Sequence, residues 1–128
     1  MENPRIKPLE APYSDTLRET FTQMMPPGME PIKLFRTIAH NPRILGKMQA
    51  GNLLDRGSVS RRERELIILR TCALCHAEYE WGVHVAFFAG RVGFSMEQIA
   101  ATLQKEELSE EIWTAEETCL IELVDTLH

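Results

Sequence analysis

The chain has 128 residues and a formal net charge of -5 at pH 7, and this length suits one compact domain. Hydrophobic residues make up 44% of the chain and charged residues 26%, which is typical of a soluble globular protein and not of a disordered one. An acidic chain offers little of the basic surface that binds phosphate backbones, so we expect no nucleic-acid partner.

The N-terminal sequence and the cysteine content predict a cytoplasmic protein. The first twelve residues, MENPRIKPLEAP, contain no apolar core and therefore do not resemble a signal peptide. Arg70 divides the longest apolar run, so no stretch reaches membrane-spanning length and we expect no membrane partner. Three cysteines, an odd number, in a chain without an export signal are expected to be reduced thiols.

Helix signals recur along the whole chain, whereas alternation with a period of two residues is never sustained. An all-α, compact multi-helix fold is therefore predicted. We expect an extended N-terminal arm over residues 1–12 and a single helical domain over residues 13–128. In chain order, the predicted helices cover about residues 15–25, 31–41, 42–54, 61–74, 78–91, 96–103 and 115–128.

Capping residues set the predicted ends of these helices. Ser14 and Asn41 are predicted N-caps, and Pro31 suits the first helical position of the second helix. Gly93 is predicted to lie just past the end of the fifth helix. Three pairs are spaced as capping boxes: Ser60 with Glu63, Ser95 with Gln98, and Thr114 with Glu117.

The predicted helix over residues 61–74 holds the centre of the fold, because it is apolar nearly all round after Glu65. Four arginines cluster in this segment, but Glu63 and Glu65 interrupt them. We interpret the cluster as a solvated helix start, and Arg70 as the partner in a structural ion pair. Spacing alone favours Glu65 as a solvent-pointing glutamate in the first helical turn.

Glu80 and His84 lie four residues apart on the next predicted helix and therefore share one face. A carboxylate beside an imidazole can orient the ring for acid–base catalysis, although the same spacing also suits a surface ion pair. The neighbours Trp81, Phe87 and Phe88 indicate burial, which favours a functional pair over a surface one.

The pair Cys72-x-x-Cys75 has the spacing of a redox motif or half of a metal site. It lies at the C-terminal end of a predicted helix, where the helix dipole disfavours a thiolate. We therefore expect two small buried residues whose thiols react slowly, and we expect Cys119 to lie in the core. His76 falls in the predicted break between helices, which leaves too few ligands for a closed zinc site, so we expect no metal and no cofactor.

Three stretches of the sequence together resemble the carboxymuconolactone decarboxylase family, which includes the alkylhydroperoxidase D-like proteins. They are LFRTIAHNPRILGKM, SVSRRERELIILR and RERELIILRTCALCHAEYEWGVHVAFFAGRVGFSMEQIAA. The resemblance covers roughly residues 30–128. It implies an all-helical fold and a homo-oligomer, either a trimer or a hexamer.

The peroxidase branch of this family has a Cys-x-x-Cys-x-x-x-His motif at a helix start and an upstream glutamate in a proton relay. In this sequence His84 matches the histidine and Glu65 the glutamate, whereas Ala77 and Glu80 stand where the two cysteines would be. Tyr79 matches an aromatic residue between them. The pattern E-Y-E-W-x-x-H is instead similar to the decarboxylase-like branch.

The resemblance implies decarboxylation or a related proton transfer on a small carboxylated lactone or enol, without a cofactor. In this scheme His84 protonates or deprotonates the substrate carbon, Glu80 orients the imidazole, and Glu65 relays protons. Tyr79 either donates a hydrogen bond or serves in packing.

Two alternatives from other functional classes stay open at this point. One is alkylhydroperoxidase-type peroxidase activity through Cys72 and Cys75, and the other is a non-catalytic oligomeric binding protein. The last predicted helix reaches His128 with an apolar face and no termination signal. We therefore expect further chain beyond this point, and an oligomer that covers the face.

Overall fold

The computed structural model describes residues 4–51, 57–104 and 111–128. Within these ranges the chain forms seven α-helices, one 3-10 helix and no strand, which confirms the predicted all-α class. The helices are α1 (Asp15–Met24), α2 (Lys33–Ile38), α3 (Pro42–Ala50), α4 (Arg61–Leu74), α5 (Glu78–Phe87), α6 (Met96–Ala101) and α7 (Ala115–Leu127), with the 3-10 helix at Ala89–Val92. None of the described helices is long and apolar enough to cross a membrane.

The chain divides into two compact units, residues 1–56 and residues 57–128. The first unit contains α1 to α3 around a small core made by Phe21, Ala39 and Leu45. The predicted arm over residues 1–12 and the predicted single domain over residues 13–128 stay predictions.

Helix starts in the first unit follow the predicted caps with one exception. The Ser14 hydroxyl accepts a hydrogen bond from the Leu17 amide at 3.3 Å, and the Asn41 side chain caps α3. The prediction that Pro31 opens the second helix was wrong, because Ile32 is still extended and α2 begins at Lys33. The third helix was predicted to reach residue 54, but α3 ends at Ala50 with Gly51 as its C-cap; residues 52–54 lie outside the described residues.

Helix α4 lies at the centre of the second unit, as predicted. Leu66 and Leu69 are fully buried. Around them pack Ala89, Phe94, Ile99, Ala101, Trp113 and Ile121. All three predicted capping boxes are present, so α4, α6 and α7 each begin where the sequence placed them.

Two ion pairs fix α7 alongside α4. The Arg62 Nε atom lies 2.6 Å from Glu117 Oε1, and Arg70 Nε lies 2.6 Å from Asp125 Oδ1. Both pairs join residues 55 positions apart, which means that the two helices run parallel in one register. Arg70 is therefore the structural ion-pair partner that the sequence predicted, whereas the interpretation of the arginine cluster as a purely solvated helix start was wrong.

Two other predictions about the second unit need correction. The fifth helix was predicted to reach residue 91, but α5 ends at Phe87 and the chain tightens into the 3-10 helix. Gly93 then stops that helix with a left-handed backbone (φ 78°), a conformation that glycine adopts without a steric penalty. Cys119 was predicted in the core, yet it is exposed on α7, because the face of α7 that meets α4 carries Glu117, Ile121 and Asp125.

Candidate active site

A buried carboxylate and a buried imidazole meet between α4 and α5. Glu65 Oε2 lies 2.6 Å from His84 Nδ1, and the two side chains are 0% and 8% exposed. The chain brings them together by reversing at His76, whose positive φ of 54° lies in the left-handed region that histidine tolerates better than most residues. The hydrogen bond from the Ala77 amide to the Cys72 carbonyl, at 2.8 Å, closes this turn.

The position of Glu65 corrects the expectation from helical spacing. A first-turn glutamate was expected to point into solvent, but this side chain is fully buried. Burial of an ionised carboxylate is costly unless the group is paired and hydrogen-bonded. Here Oε2 contacts His84, and Oε1 accepts hydrogen bonds from Arg64 Nε at 3.1 Å and Nη2 at 3.0 Å, so both carboxylate oxygens are satisfied.

These partners decide the ionisation state of Glu65. Burial alone raises its pKa, but the hydrogen bonds and positive charge that His84 and Arg64 supply outweigh burial and leave the pKa below the ordinary value of 4.5. Glu65 is therefore an anion near neutral pH. Because an ionised carboxylate can only accept hydrogen bonds, the shared proton is assigned to His84 Nδ1.

The other ring nitrogen of His84, Nε2, is not used by Glu65. With the proton on Nδ1, the lone pair of neutral His84 is on Nε2. Nε2 lies 3.6 Å from Glu80 Oε1, which is longer than a direct hydrogen bond. The side chain of Glu80 is 38% exposed, and Phe88 covers the imidazole with ring centroids 5.2 Å apart.

The two glutamates contact different nitrogens of the His84 ring, at different distances. The resemblance implied that Glu80 orients the ring and Glu65 relays protons. The short hydrogen bond of the ring, from His84 Nδ1, is accepted by the buried carboxylate of Glu65. The Glu80 side chain is half-exposed and lies farther from the ring, 3.6 Å from Nε2, and the predicted roles of the two glutamates stay predictions.

The two cysteines of the CxxC pair have different surroundings. Cys72 is buried and Cys75 is exposed, so the expectation of two buried residues was wrong for Cys75, which forms the C-cap of α4. Burial raises the pKa of the Cys72 thiol, and the nearby charges of Glu80 and Cys75 raise it further. A thiol in this state carries little of the thiolate that attacks a peroxide.

Other candidate residues lie at the edge of this arrangement or outside it. Tyr79 is exposed in the first turn of α5, and its predicted role stays a prediction. Among the described residues, no three His, Cys, Asp or Glu side chains are grouped for a metal ion. A cavity of about 420 Å³ lies within residues 11–31, and neither Glu65 nor His84 lines it.

Arg64 is the site residue that sequence reasoning missed. It was assigned to the solvated helix start, yet its guanidinium makes two hydrogen bonds to one carboxylate oxygen of the neighbouring residue. Adjacent residues on a helix do not ordinarily face each other, so no spacing rule pointed to this contact. Only the burial of Glu65, which depends on the packing of α5, makes the pairing necessary.

The comparisons with known proteins agree with the resemblance noted from the sequence. The family model described as "Carboxymuconolactone decarboxylase family" matches residues 42–115, which is more than half of the chain. A search of curated proteins and a search of solved structures each found no match. The matched segment includes Arg64, Glu65, Glu80 and His84.

Proposed function

The chain belongs to the carboxymuconolactone decarboxylase family, and we propose that it is an enzyme that performs acid–base chemistry on a small carboxylated lactone or enol without a cofactor. The family includes decarboxylases and alkylhydroperoxidases. The observation that carries the proposal is the 2.6 Å hydrogen bond between buried Glu65 Oε2 and His84 Nδ1. A carboxylate–imidazole dyad in a water-poor site is suited to moving protons near neutral pH.

In the simplest reaction, His84 moves one proton at a substrate carbon. Neutral Nε2 accepts a proton from a carbon next to a carbonyl, and the electron pair of the broken C–H bond passes into the enolate. Glu65 is already hydrogen-bonded to Nδ1, so it stabilises the imidazolium without reorientation. The imidazolium then returns a proton to the same or a conjugated carbon, and the ring is neutral again.

In a decarboxylation, His84 acts in the opposite direction. The bond between the substrate carbon and its carboxylate breaks, carbon dioxide leaves, and the electron pair passes into the neighbouring carbonyl. Protonated Nε2 then delivers its proton to that carbon, which leaves the ring neutral. Glu80, half-exposed and 3.6 Å from Nε2, would resupply the proton from solvent.

The surroundings of the thiols favour this proposal over peroxidase activity. A thiol peroxidase needs a thiolate, whereas burial raises the pKa of the Cys72 thiol and Cys75 caps the C-terminal end of α4. The short contact of His84 is with a carboxylate. We therefore assign the acid–base role to Glu65, Glu80 and His84, and no redox role to Cys72 and Cys75.

The proposed enzyme is a cytoplasmic homo-oligomer, either a trimer or a hexamer. Leu123 and Leu127 on α7 are 54% and 78% exposed, and apolar residues this exposed on one helix suit a subunit contact. Light scattering after gel filtration should give a trimer or a multiple of it. A monomer at micromolar concentration would contradict this part of the proposal.

The test of the chemistry compares turnover with stability in three variants. Wild type is screened on a panel of carboxylated lactones and keto acids, and the best substrate is then used with His84→Gln, Glu65→Gln and Glu80→Gln. General acid–base groups contribute about 10²–10⁴-fold, so His84→Gln should lower kcat by that amount, well beyond what its loss of stability explains. We expect a smaller loss for Glu80→Gln, because solvent can replace a relay.

Two outcomes would contradict the proposal. If all three variants keep wild-type turnover on a substrate that wild type converts, the dyad is not the catalytic group. If wild type converts no member of the panel but binds several, the non-catalytic binding protein becomes the better description. Exposed Glu116→Gln serves as the matched control, because it removes one carboxylate of the second unit far from the dyad in sequence.

A further inference from the structure

We propose that Arg64 is a positioning residue: through its two hydrogen bonds to Glu65 Oε1, it keeps this carboxylate as the acceptor for His84 Nδ1–H and so leaves Nε2 free to take a proton. The inference rests on the proposed function, because a free Nε2 matters only if His84 moves protons. Arg64 makes its contact on the carboxylate oxygen that His84 does not use. It therefore acts on the ring through Glu65 and not by direct contact with substrate.

The need for Arg64 follows from the charge balance around Glu65. This carboxylate is 0% exposed, and a buried anion needs a permanent counter-charge. His84 cannot serve in that role throughout a reaction, because its ring alternates between neutral and protonated forms. Arg64, which stays protonated in proteins, supplies positive charge at 3.0 Å in both forms.

The consequence of losing Arg64 follows from the two oxygens of the carboxyl group. Without a cation at Oε1, burial favours a neutral carboxylic acid at Glu65 whenever His84 is neutral. A proton taken from solvent by Oε2 makes the carboxyl a donor to Nδ1, which lies 2.6 Å from that oxygen. Nδ1 then becomes the acceptor, and the proton of the neutral ring is on Nε2. A neutral ring with its proton on Nε2 cannot abstract a proton from a substrate.

The charge of Glu80, on α5, makes the ring more dependent on Arg64. Glu80 lies 3.6 Å from Nε2, and its charge also acts on the Cys72 thiol. A carboxylate on this side attracts a proton to Nε2 when the ring loses its anionic partner at Nδ1. Arg64 therefore opposes two tendencies, the protonation of Glu65 and the protonation of Nε2, from a single position.

The test reads the ring directly and needs no substrate. Long-range proton–nitrogen NMR correlation distinguishes protonated from unprotonated imidazole nitrogens, and the His84 signals are identified by their absence from His84→Gln. In the neutral ring of wild type we expect Nδ1 protonated and Nε2 unprotonated. In Arg64→Gln we expect Nε2 to shift to the protonated type, whereas Arg64→Lys, which keeps a positive charge, should retain the wild-type pattern.

Two reference variants separate the possible outcomes. Arg61→Gln removes an arginine from the same helix at an exposed position, and it should leave the His84 signals unchanged. Glu65→Leu removes the acceptor at similar volume, so its ring should lose the single Nδ1–H form. If Glu65→Leu changes the pattern and Arg64→Gln does not, the role of Arg64 is refuted while the dyad stands.

A different pattern would refute the proposed function itself. If Glu65→Leu leaves the His84 signals as in wild type, the carboxylate does not control the ring and the dyad fails with it. Should Arg64→Gln not fold, Arg64→Lys still decides the matter, since a lysine variant with the Glu65→Leu pattern would show that a positive charge at this position is not enough. That result for Arg64→Lys would overturn the inference that the positive charge of Arg64 keeps the ring proton on Nδ1.

Discussion

Helix α4 carries two buried charged residues, Glu65 and Arg70, and their partners differ in one respect. Every nitrogen of the Arg70 guanidinium is hydrogen-bonded: Nε and Nη2 each lie 2.6 Å from Asp125, and Nη1 donates to the carbonyls of Thr102 and Gln104. Glu65 is equally satisfied, but its partner His84 has a second nitrogen 3.6 Å from a half-exposed carboxylate. The Arg70 guanidinium has no nitrogen left for another partner. The network of Glu65 and His84 instead ends at Glu80, a half-exposed carboxylate that can exchange a proton with solvent.

The comparison shows why burial and charge do not identify a functional site by themselves. An arginine stays protonated and all three of its nitrogens are used here, so the Arg70 network can only hold α4, α7 and the chain after α6 together. An imidazole changes its charge near neutral pH. We therefore assign the proposed chemistry to the network that includes His84, and a role in stabilising the fold to the network that includes Arg70.

Replacement of Arg70 should give the largest loss of stability. Arg70→Met leaves Asp125 and two backbone carbonyls without their partner, and breaking a buried pair costs about 3–5 kcal/mol. We expect the lower part of this range, because the Asp125 side chain is 36% exposed. Urea unfolding measures the change, and kcat of the folded fraction should stay near that of wild type. A large loss of kcat at unchanged stability would place Arg70 in the active site.

The stability of the protein should depend on pH through the ionisation of Glu65. The pKa of Glu65 is lowered in the folded protein, so its ionisation stabilises the fold above the ordinary value of 4.5, and this contribution is lost as the pH falls through the folded-state pKa. The stability difference between wild type and Glu65→Gln should therefore shrink on acidification below that value. A difference independent of pH would contradict the ionised state of Glu65.

The smallest effect is expected at the thiols. Cys72→Ala with Cys75→Ala removes both members of the CxxC pair, and kcat should stay within about twofold of wild type, since general acid–base catalysis does not involve them. In the native protein a thiol probe should modify the exposed Cys75 and Cys119 first and the buried Cys72 last. Hydroperoxide turnover that disappears in the double variant would restore the peroxidase interpretation.

The sequence predicted the helix starts well because the signals are local. Ser60, Ser95 and Thr114 each cap a helix with a partner three residues away, and such pairs are visible in the sequence alone. The end of α5 was harder to predict. The chain leaves the α-helix at Phe88, and the Phe94 amide then donates a hydrogen bond to the Ala89 carbonyl. The pattern of apolar residues does not predict this contact.

The contacts of the site were less predictable because they depend on distant partners. Spacing placed Glu65 in solvent, since its burial depends on a ring 19 residues away and on the guanidinium of Arg64, which donates two hydrogen bonds to its carboxylate. The exposure of Cys119 depends on which face of α7 meets α4, and ion pairs spanning 55 residues set that choice. Family resemblance named Glu65, Glu80 and His84 as a group, but only the three-dimensional packing distinguishes the buried carboxylate at 2.6 Å from the ring from the half-exposed one at 3.6 Å.

The most direct test of the proposed chemistry follows a solvent proton to carbon. Wild type, His84→Gln and the Cys72→Ala, Cys75→Ala double variant are incubated in heavy water with the carbon acids of the substrate panel, and NMR detects deuterium at the reacting carbon. We expect wild type and the double variant to incorporate deuterium at similar rates, and His84→Gln to match the background without enzyme. Incorporation that persists in His84→Gln but is lost in the cysteine variant would contradict a carboxylate–imidazole active site.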